Sequence, residues 1–124
     1  MIQNKVFFAD TYALIEILNG TPSYKKYARC TLITSKLNLA ELHYYLLKNY
    51  DEKTANKYLD FFQKLLVPVS LWAIKLGMKI KLKYKKQNLS YVDAISYASS
   101  LEYEVLFLTG DKQFKEKQNV EFVK

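Results

Sequence analysis

The run Val6-Phe7-Phe8-Ala9-Asp10-Thr11 constrains the fold more than any other stretch of this chain. Three large or β-branched apolar residues lead into a small one and end at a carboxylate. The residues that follow, Tyr12 to Leu18, have helical character. An apolar run this short, without polar alternation, reads as a strand buried on both faces, as in a parallel sheet. The strand hands over to a helix at Asp10-Thr11. In an open parallel sheet such a handover lies on the carboxyl edge, where ligands bind. Asp10 is therefore either a helix cap or the first member of a site.

The rest of the chain repeats this alternation. The first strand spans roughly Lys5 to Ala9, and the first helix, Thr11 to Leu18, stops at Asn19-Gly20. Thr21-Pro22 is an N-cap followed by Pro at the first helical position, opening a short helix to Arg29. Thr31 to Ile33 is a second strand, and a helix from Asn38 to Asn49 follows it. Asp51 caps another helix to Leu65, in which Tyr58, Leu59, Phe62 and Leu65 recur at helical spacing. Leu66 to Val69 reads as a strand whose Pro68 places it at an edge or a strand end. Ser70 caps a helix to Lys86, and Gln87-Asn88 breaks it. Ser90 caps the next helix, to Leu101. Val105 to Leu108 and Val120 to Val123 are the last strands, with a turn and a short helix, Lys112 to Lys117, between them. There is no repeat and no linker. The pattern predicts one domain over residues 1–124, with an α/β fold in which helices flank a mostly parallel five-stranded sheet.

Four acids fall at the ends of these elements: Asp10 after the first strand, Glu41 and Asp93 in first helical turns, and Asp111 after the fourth strand. Each has a purely structural explanation. Asn38-x-x-Glu41 resembles a capping box, Ser90-x-x-Asp93 fits its acidic variant, and Asp10 and Asp111 suit plain caps. Together they suggest more. Strand ends and helix starts of a parallel sheet project to one edge, where four unpaired carboxylates repel one another. A divalent cation offsets that repulsion, and an all-oxygen donor set suits Mg2+ or Mn2+. Thr11 and Thr109 stand beside these acids and are placed to orient a carboxylate or a bound water. His43 is alone and reads as a helix-surface or core-edge residue rather than a ligand.

The net charge of +7 points to a polyanionic partner, nucleic acid before others. Apart from Arg29 the cations are all Lys, which suits phosphate contact rather than base reading. Six lysines crowd the helix that starts after Ser70. Its apolar stripe is expected at Ile74, Met78 and Leu82, leaving Lys75, Lys79, Lys83 and Lys86 on an exposed side, either a plain solvated face or a track for a nucleic-acid backbone. The single cysteine, Cys30, excludes an intrachain disulfide and fits a reducing cytoplasm. No signal pattern is read before the first strand, and no apolar run is long enough to cross a membrane.

With these stretches the chain resembles the PIN domain, the nuclease fold of VapC-type toxins. The resemblance rests on Ala9-Asp10-Thr11, Asn38-Leu39-Ala40-Glu41-Leu42, Leu89-Ser90-Tyr91-Val92-Asp93-Ala94 and Leu108-Thr109-Gly110-Asp111-Lys112-Gln113-Phe114. Each is weak alone. All four in this order, in a chain of this size, are specific. The resemblance implies a three-layer α/β/α sandwich in which Asp10, Glu41, Asp93 and Asp111 form an acidic quartet that holds metal. It implies metal-dependent cleavage of RNA to a 5′-phosphate and a 3′-hydroxyl. It also implies a homodimer and a cognate antitoxin seated in the acidic groove, for which Tyr12, Tyr44, Tyr45, Tyr58, Phe61 and Phe62 are candidate contacts. Relatives often carry a further acid two residues after the last motif Asp. Here Gln113 stands in that place, able to hold a metal-bound water. Three other readings remain at this point. One is a non-catalytic RNA-binding or scaffold domain, and another is a housekeeping processing nuclease. The third is a receiver-like phospho-acceptor, which lacks its strand-end Lys here.

Overall fold

The computed structural model describes residues 5–124. Its strands are β1 (Val6–Ala9), β2 (Thr31–Ile33), β3 (Leu106–Thr109) and β4 (Val120–Phe122). They form one sheet in the order β2-β1-β3-β4, with every neighbouring pair parallel. The helices are α1 (Thr11–Leu18), α2 (Lys36–Asn49), α3 (Glu52–Phe62), α4 (Leu71–Lys83) and α5 (Tyr91–Glu102).

Side chains alternate across a strand, so β1 feeds two cores. Phe7 and Ala9 pack on one face with Leu14, Tyr24, Leu39, Leu42 and Leu46, under α1, α2 and α3. Phe8 packs on the other with Leu89, Tyr97, Phe107 and Phe114, where α5 covers the sheet and α4 covers α5. The result is the expected three-layer α/β/α sandwich around a parallel sheet. The stretch expected as a further strand, Leu66 to Val69, makes a single parallel bridge between Thr34 and Leu66. Val67 N donates to Thr34 O at 2.9 Å, and Pro68, with no N–H, cannot extend the ladder.

Three local expectations need correction. First, α2 starts at Lys36, because Ser35 is the N-cap and accepts from Asn38 N. Asn38 and Glu41 therefore lie inside the helix, and no Asn38–Glu41 capping box forms. Second, α4 ends at Lys83. Lys85–Gln87 is a separate 3-10 turn closed by Asn88 at φ 56°, so Lys86 is off the helix that carries Lys75, Lys79 and Lys83. Third, the buried line of α4 is Ala73 and Gly77, whereas Leu82 is 70% exposed and Ile74 37% exposed. The helix packs on its smallest residues and leaves large apolar ones in solvent.

The segment from Pro22 to Arg29 is helical but of the 3-10 kind. Its period of three eclipses Tyr24 with Tyr27, and both are buried. Tyr24 and Tyr27 donate their hydroxyls to Val123 O and to the Glu121 carboxylate, and Ser23 Oγ donates to Lys124 O. The run is thus stapled along β4.

Gly77 sets the distance between α4 and α5. A Cβ there would stand 3.0 Å from Ile95 Cα and 3.1 Å from Ala94 O, both backbone atoms that cannot step aside alone. Ala is worth about 1 kcal/mol over Gly in an open helix, but here the clash dominates. Gly77→Ala is expected to lower stability by about 1–3 kcal/mol in urea unfolding. Stability equal to or above that of the wild type would mean that the two helices separate freely.

Candidate active site

The strand order reverses direction between β1 and β3, and ligands bind at the carboxyl end of such a switch point. Asp10 and Thr109–Asp111 sit there. The backbone at Asp10 is held from both neighbouring strands. Asp10 N donates to Leu108 O at 3.2 Å, and Thr34 Oγ1 donates to Ala9 O at 2.8 Å. The side chain is 4% exposed. Its Oδ1 caps α1 by accepting from Ala13 N at 2.9 Å, and its Oδ2 accepts from Thr109 Oγ1 at 2.5 Å. Burial drives the Asp10 carboxyl up from 3.8 to about 7. The Thr109 and Ala13 hydrogen bonds oppose this, and the charges of Asp93 and Asp111 add to it.

The other acids converge on the same edge. Asp93 forms the expected capping box: Ser90 Oγ accepts from Asp93 N, and Ser90 N donates to Asp93 Oδ2, each at 3.0 Å. Burial raises its carboxyl, the Ser90 bonds lower it, Asp111 pushes it up and Lys81 pulls it down. Burial also raises Glu41, against the Thr11 hydrogen bond and with the charge of Asp93. Asp111 Oδ1 accepts from Gln113 N at 3.0 Å. Asp93 thus shares its field with each of the other three acids. Each carboxylate is turned onto a hydroxyl or backbone donor. Among the described residues no three His, Cys, Asp or Glu side chains stand together as a ready-made metal cluster.

A buried network that the sequence did not signal orients Glu41. Asn38 is 1% exposed. Its Oδ1 accepts from Ser35 Oγ at 2.6 Å and from Ser96 Oγ at 3.0 Å. That leaves its Nδ2 facing Thr11 Oγ1 at 3.4 Å, so the Thr11 proton points to Glu41 Oε1 at 2.5 Å. Gln113 Oε1 is buried with no hydrogen-bond partner among the described residues.

Two lysines are coupled to the acids, Lys81 to Asp93 and Lys117 to Asp111. Lys81 Nζ donates to Leu89 O and lies 4.8 Å from the Tyr91 ring. Lys117 Nζ donates to Gln113 O at 2.8 Å and lies 4.0 Å from the Tyr84 ring. Its pKa is lowered by burial and raised by Asp111. Lys75, Lys79 and Lys83 are exposed, on the side of α4 opposite Gly77 and hence turned away from α5. His43 is half-exposed, with Nε2 2.8 Å from Asn56 Oδ1. Of the aromatics expected at interfaces, Tyr44 and Phe61 are exposed, Phe62 is buried, and Tyr12, Tyr45 and Tyr58 pack at the margin of the core.

The family model of the PIN domain matches residues 7–120. Several solved structures share the fold. VapC20 of Mycobacterium tuberculosis, described as a Sarcin-Ricin loop cleaving toxin, is 17% identical with a TM-score of 0.79, covering 95% of this chain and 99% of that one. VapBC2 of Rickettsia felis, bound to a promoter DNA fragment, is 18% identical with a TM-score of 0.74, covering 95% and 97%. A toxin–antitoxin complex from Klebsiella pneumoniae is 20% identical with a TM-score of 0.72, covering 95% and 96%. No curated protein sequence matches the chain.

The raised Asp10 carboxyl has a consequence for stability. Below its ordinary value of 3.8 it is neutral in both folded and unfolded chains, and above about 7 the folded state must bury its charge. The stability tied to its protonation is present at low pH and is lost as pH rises through about 7. In metal-free protein, Asp10→Asn should therefore melt above the wild type at pH 8, with the gap closing toward pH 5. A gap independent of pH in thermal unfolding would refute the buried charge.

Proposed function

The chain belongs to the PIN domain family, and from that membership we propose that it is a Mg2+- or Mn2+-dependent endoribonuclease, the toxin of a toxin–antitoxin pair. The observation that carries this reading is the buried Asp10 carboxylate, pressed by the charges of Asp93 and Asp111 at the switch point of the sheet. The donors at this edge are oxygens, the set that hard divalent cations take. Asp10, Asp93 and Asp111 would hold the ion, directly or through water. When bound, a divalent cation supplies positive charge against the phosphate and lowers the pKa of a water.

The chain's own groups do the rest. Glu41, fixed through Oε1 by Thr11, offers Oε2 to the attacking water, and its raised carboxyl suits it to take the proton. Thr109 holds Asp10 in place. Gln113, whose N–H donates to Asp111 and whose Oε1 has no partner among the described residues, is available to accept a hydrogen bond from a water. Lys81 and Lys117 bring positive charge to the rim, where the phosphate arrives. The VapBC complexes among the structural neighbours support a small antitoxin as partner, and the description of VapC20 supports RNA as substrate class. Exposed Leu71, Trp72 and Leu82 on α4 supply apolar surface for pairing with a second copy.

Cleavage of defined RNAs with Mg2+, Mn2+ or EDTA tests the reaction. EDTA and Asp93→Asn should each abolish cleavage, and Glu41→Gln should cut kcat about 10²- to 10⁴-fold. Metal-independent cleavage, or full activity of Asp93→Asn, defeats the proposed chemistry. Mass spectrometry of proteins that co-purify from the native host should find a small protein partner whose removal releases RNA cleavage. Purified protein that is active without losing any partner defeats the toxin assignment.

A further inference from the structure

Lys81 and Lys117 act on the acids directly, and a further group of cations lies beside them. A cleft of about 700 Å³ runs between the 3-10 segment Pro22–Arg29 and β4. Lys25, Lys26, Arg29 and Lys124 line it with Tyr27 and Phe122, and neither Asp nor Glu is among its lining residues. Lys115 Nζ lies 5.8 Å from the Phe122 ring and adds a cation beside it. The nearby acid, Glu121, accepts from the Tyr27 hydroxyl.

Local geometry explains the charge. The period of three that buries Tyr24 and Tyr27 also eclipses Ser23, Lys26 and Arg29 on a neighbouring line. The hydrogen bonds of Ser23, Tyr24 and Tyr27 to β4 hold that line in place.

The cleft is next to the acids. β4 is parallel to β3, so its carboxyl end lies on the same sheet edge. A Cβ on Gly110, between Thr109 and Asp111, would stand 2.5 Å from Val123 O, a backbone atom of the cleft wall. From the end of β1 to the end of β4 is two strand spacings, roughly 10 Å. A phosphodiester chain crossing the acids meets this cleft next.

We propose that the cleft between the Pro22–Arg29 segment and β4 binds the phosphate backbone of single-stranded RNA beside the scissile bond. The substrate class rests on the nuclease reading above. Lys and Arg without paired acids are the chemistry that neutralises phosphates, and the release of counterions makes such binding salt-dependent.

The test measures binding of a fluorescently labelled single-stranded oligoribonucleotide in EDTA, as a function of salt. The Lys25→Glu/Lys26→Glu/Arg29→Glu variant is compared with Lys75→Glu/Lys79→Glu/Lys83→Glu, which makes the same change in net charge on the far side of α4. Lys25→Ala/Arg29→Ala is a milder second variant, and circular dichroism checks that each is folded. The cleft variant should lose roughly tenfold or more in affinity, with a salt slope shallower by about two, and the α4 variant should lose much less. Equal losses in the two charge-reversal variants overturn the proposal, because net charge alone then explains them. Wild-type cleavage with Mg2+ or Mn2+ is scored separately. If the wild type cleaves and the cleft variant binds like the α4 variant, the cleft fails and the nuclease reading stands. If nothing cleaves but RNA binding still tracks the cleft, the nuclease reading fails and the cleft stands.

Discussion

The Thr109 hydroxyl joins Asp10 to the turn that carries Asp111, and the acidic edge depends on that junction. It accepts from Asp111 N at 3.0 Å, so its one proton goes to Asp10 Oδ2. A carboxylate this deeply buried is costly when charged unless donors reach it. Thr109 and Ala13 supply two, and the field of Asp93 and Asp111 works against them. The site is thus held in tension: the backbone fixes Asp10 where its charge is least welcome. A parallel sheet makes this possible, since β1 and β3 are neighbours that both end at the same edge.

The parts legible in the sequence were those built from near neighbours. β1 and β3 are short apolar runs, and the Ser90–Asp93 capping box spans three residues, so both are visible along the chain. The role of Asn38 was not visible in this way. Its partners Thr11 and Ser96 lie 27 and 58 residues away, and nothing near Asn38 distinguishes a buried amide from a capping one. The start of α2 was misplaced for a related reason, because Ser35 offers the same capping chemistry three residues earlier. The fifth strand failed on one residue, Pro68, which stops the ladder after a single bridge.

The lysine-rich helix shows a different limit. Spacing says which side chains share a face, but it does not say which face is buried. Large apolar residues at Ile74, Met78 and Leu82 suggested one stripe, and close packing against α5 selected the small pair Ala73 and Gly77 instead. That choice turns Lys81 toward Asp93 and Lys79 away from it. Similarly, a segment expected as an ordinary short helix is wound with a period of three. The change of period puts Lys26 and Arg29 in line and gathers charge that a helix of 3.6 residues per turn would spread.

The hydrogen bonds that complete this edge join distant parts of the chain. Thr109 reaches Asp10 across 99 residues, and Ser23 reaches Lys124 across 101. Contacts of such long sequence separation form late, after the intervening chain has been made and ordered. A nascent chain still short of residue 109 has Asp10 but lacks both Thr109 and Asp111. Up to that point of its synthesis the polypeptide therefore lacks the acidic edge. The order of synthesis thus keeps the acids apart until the last part of the chain has been made.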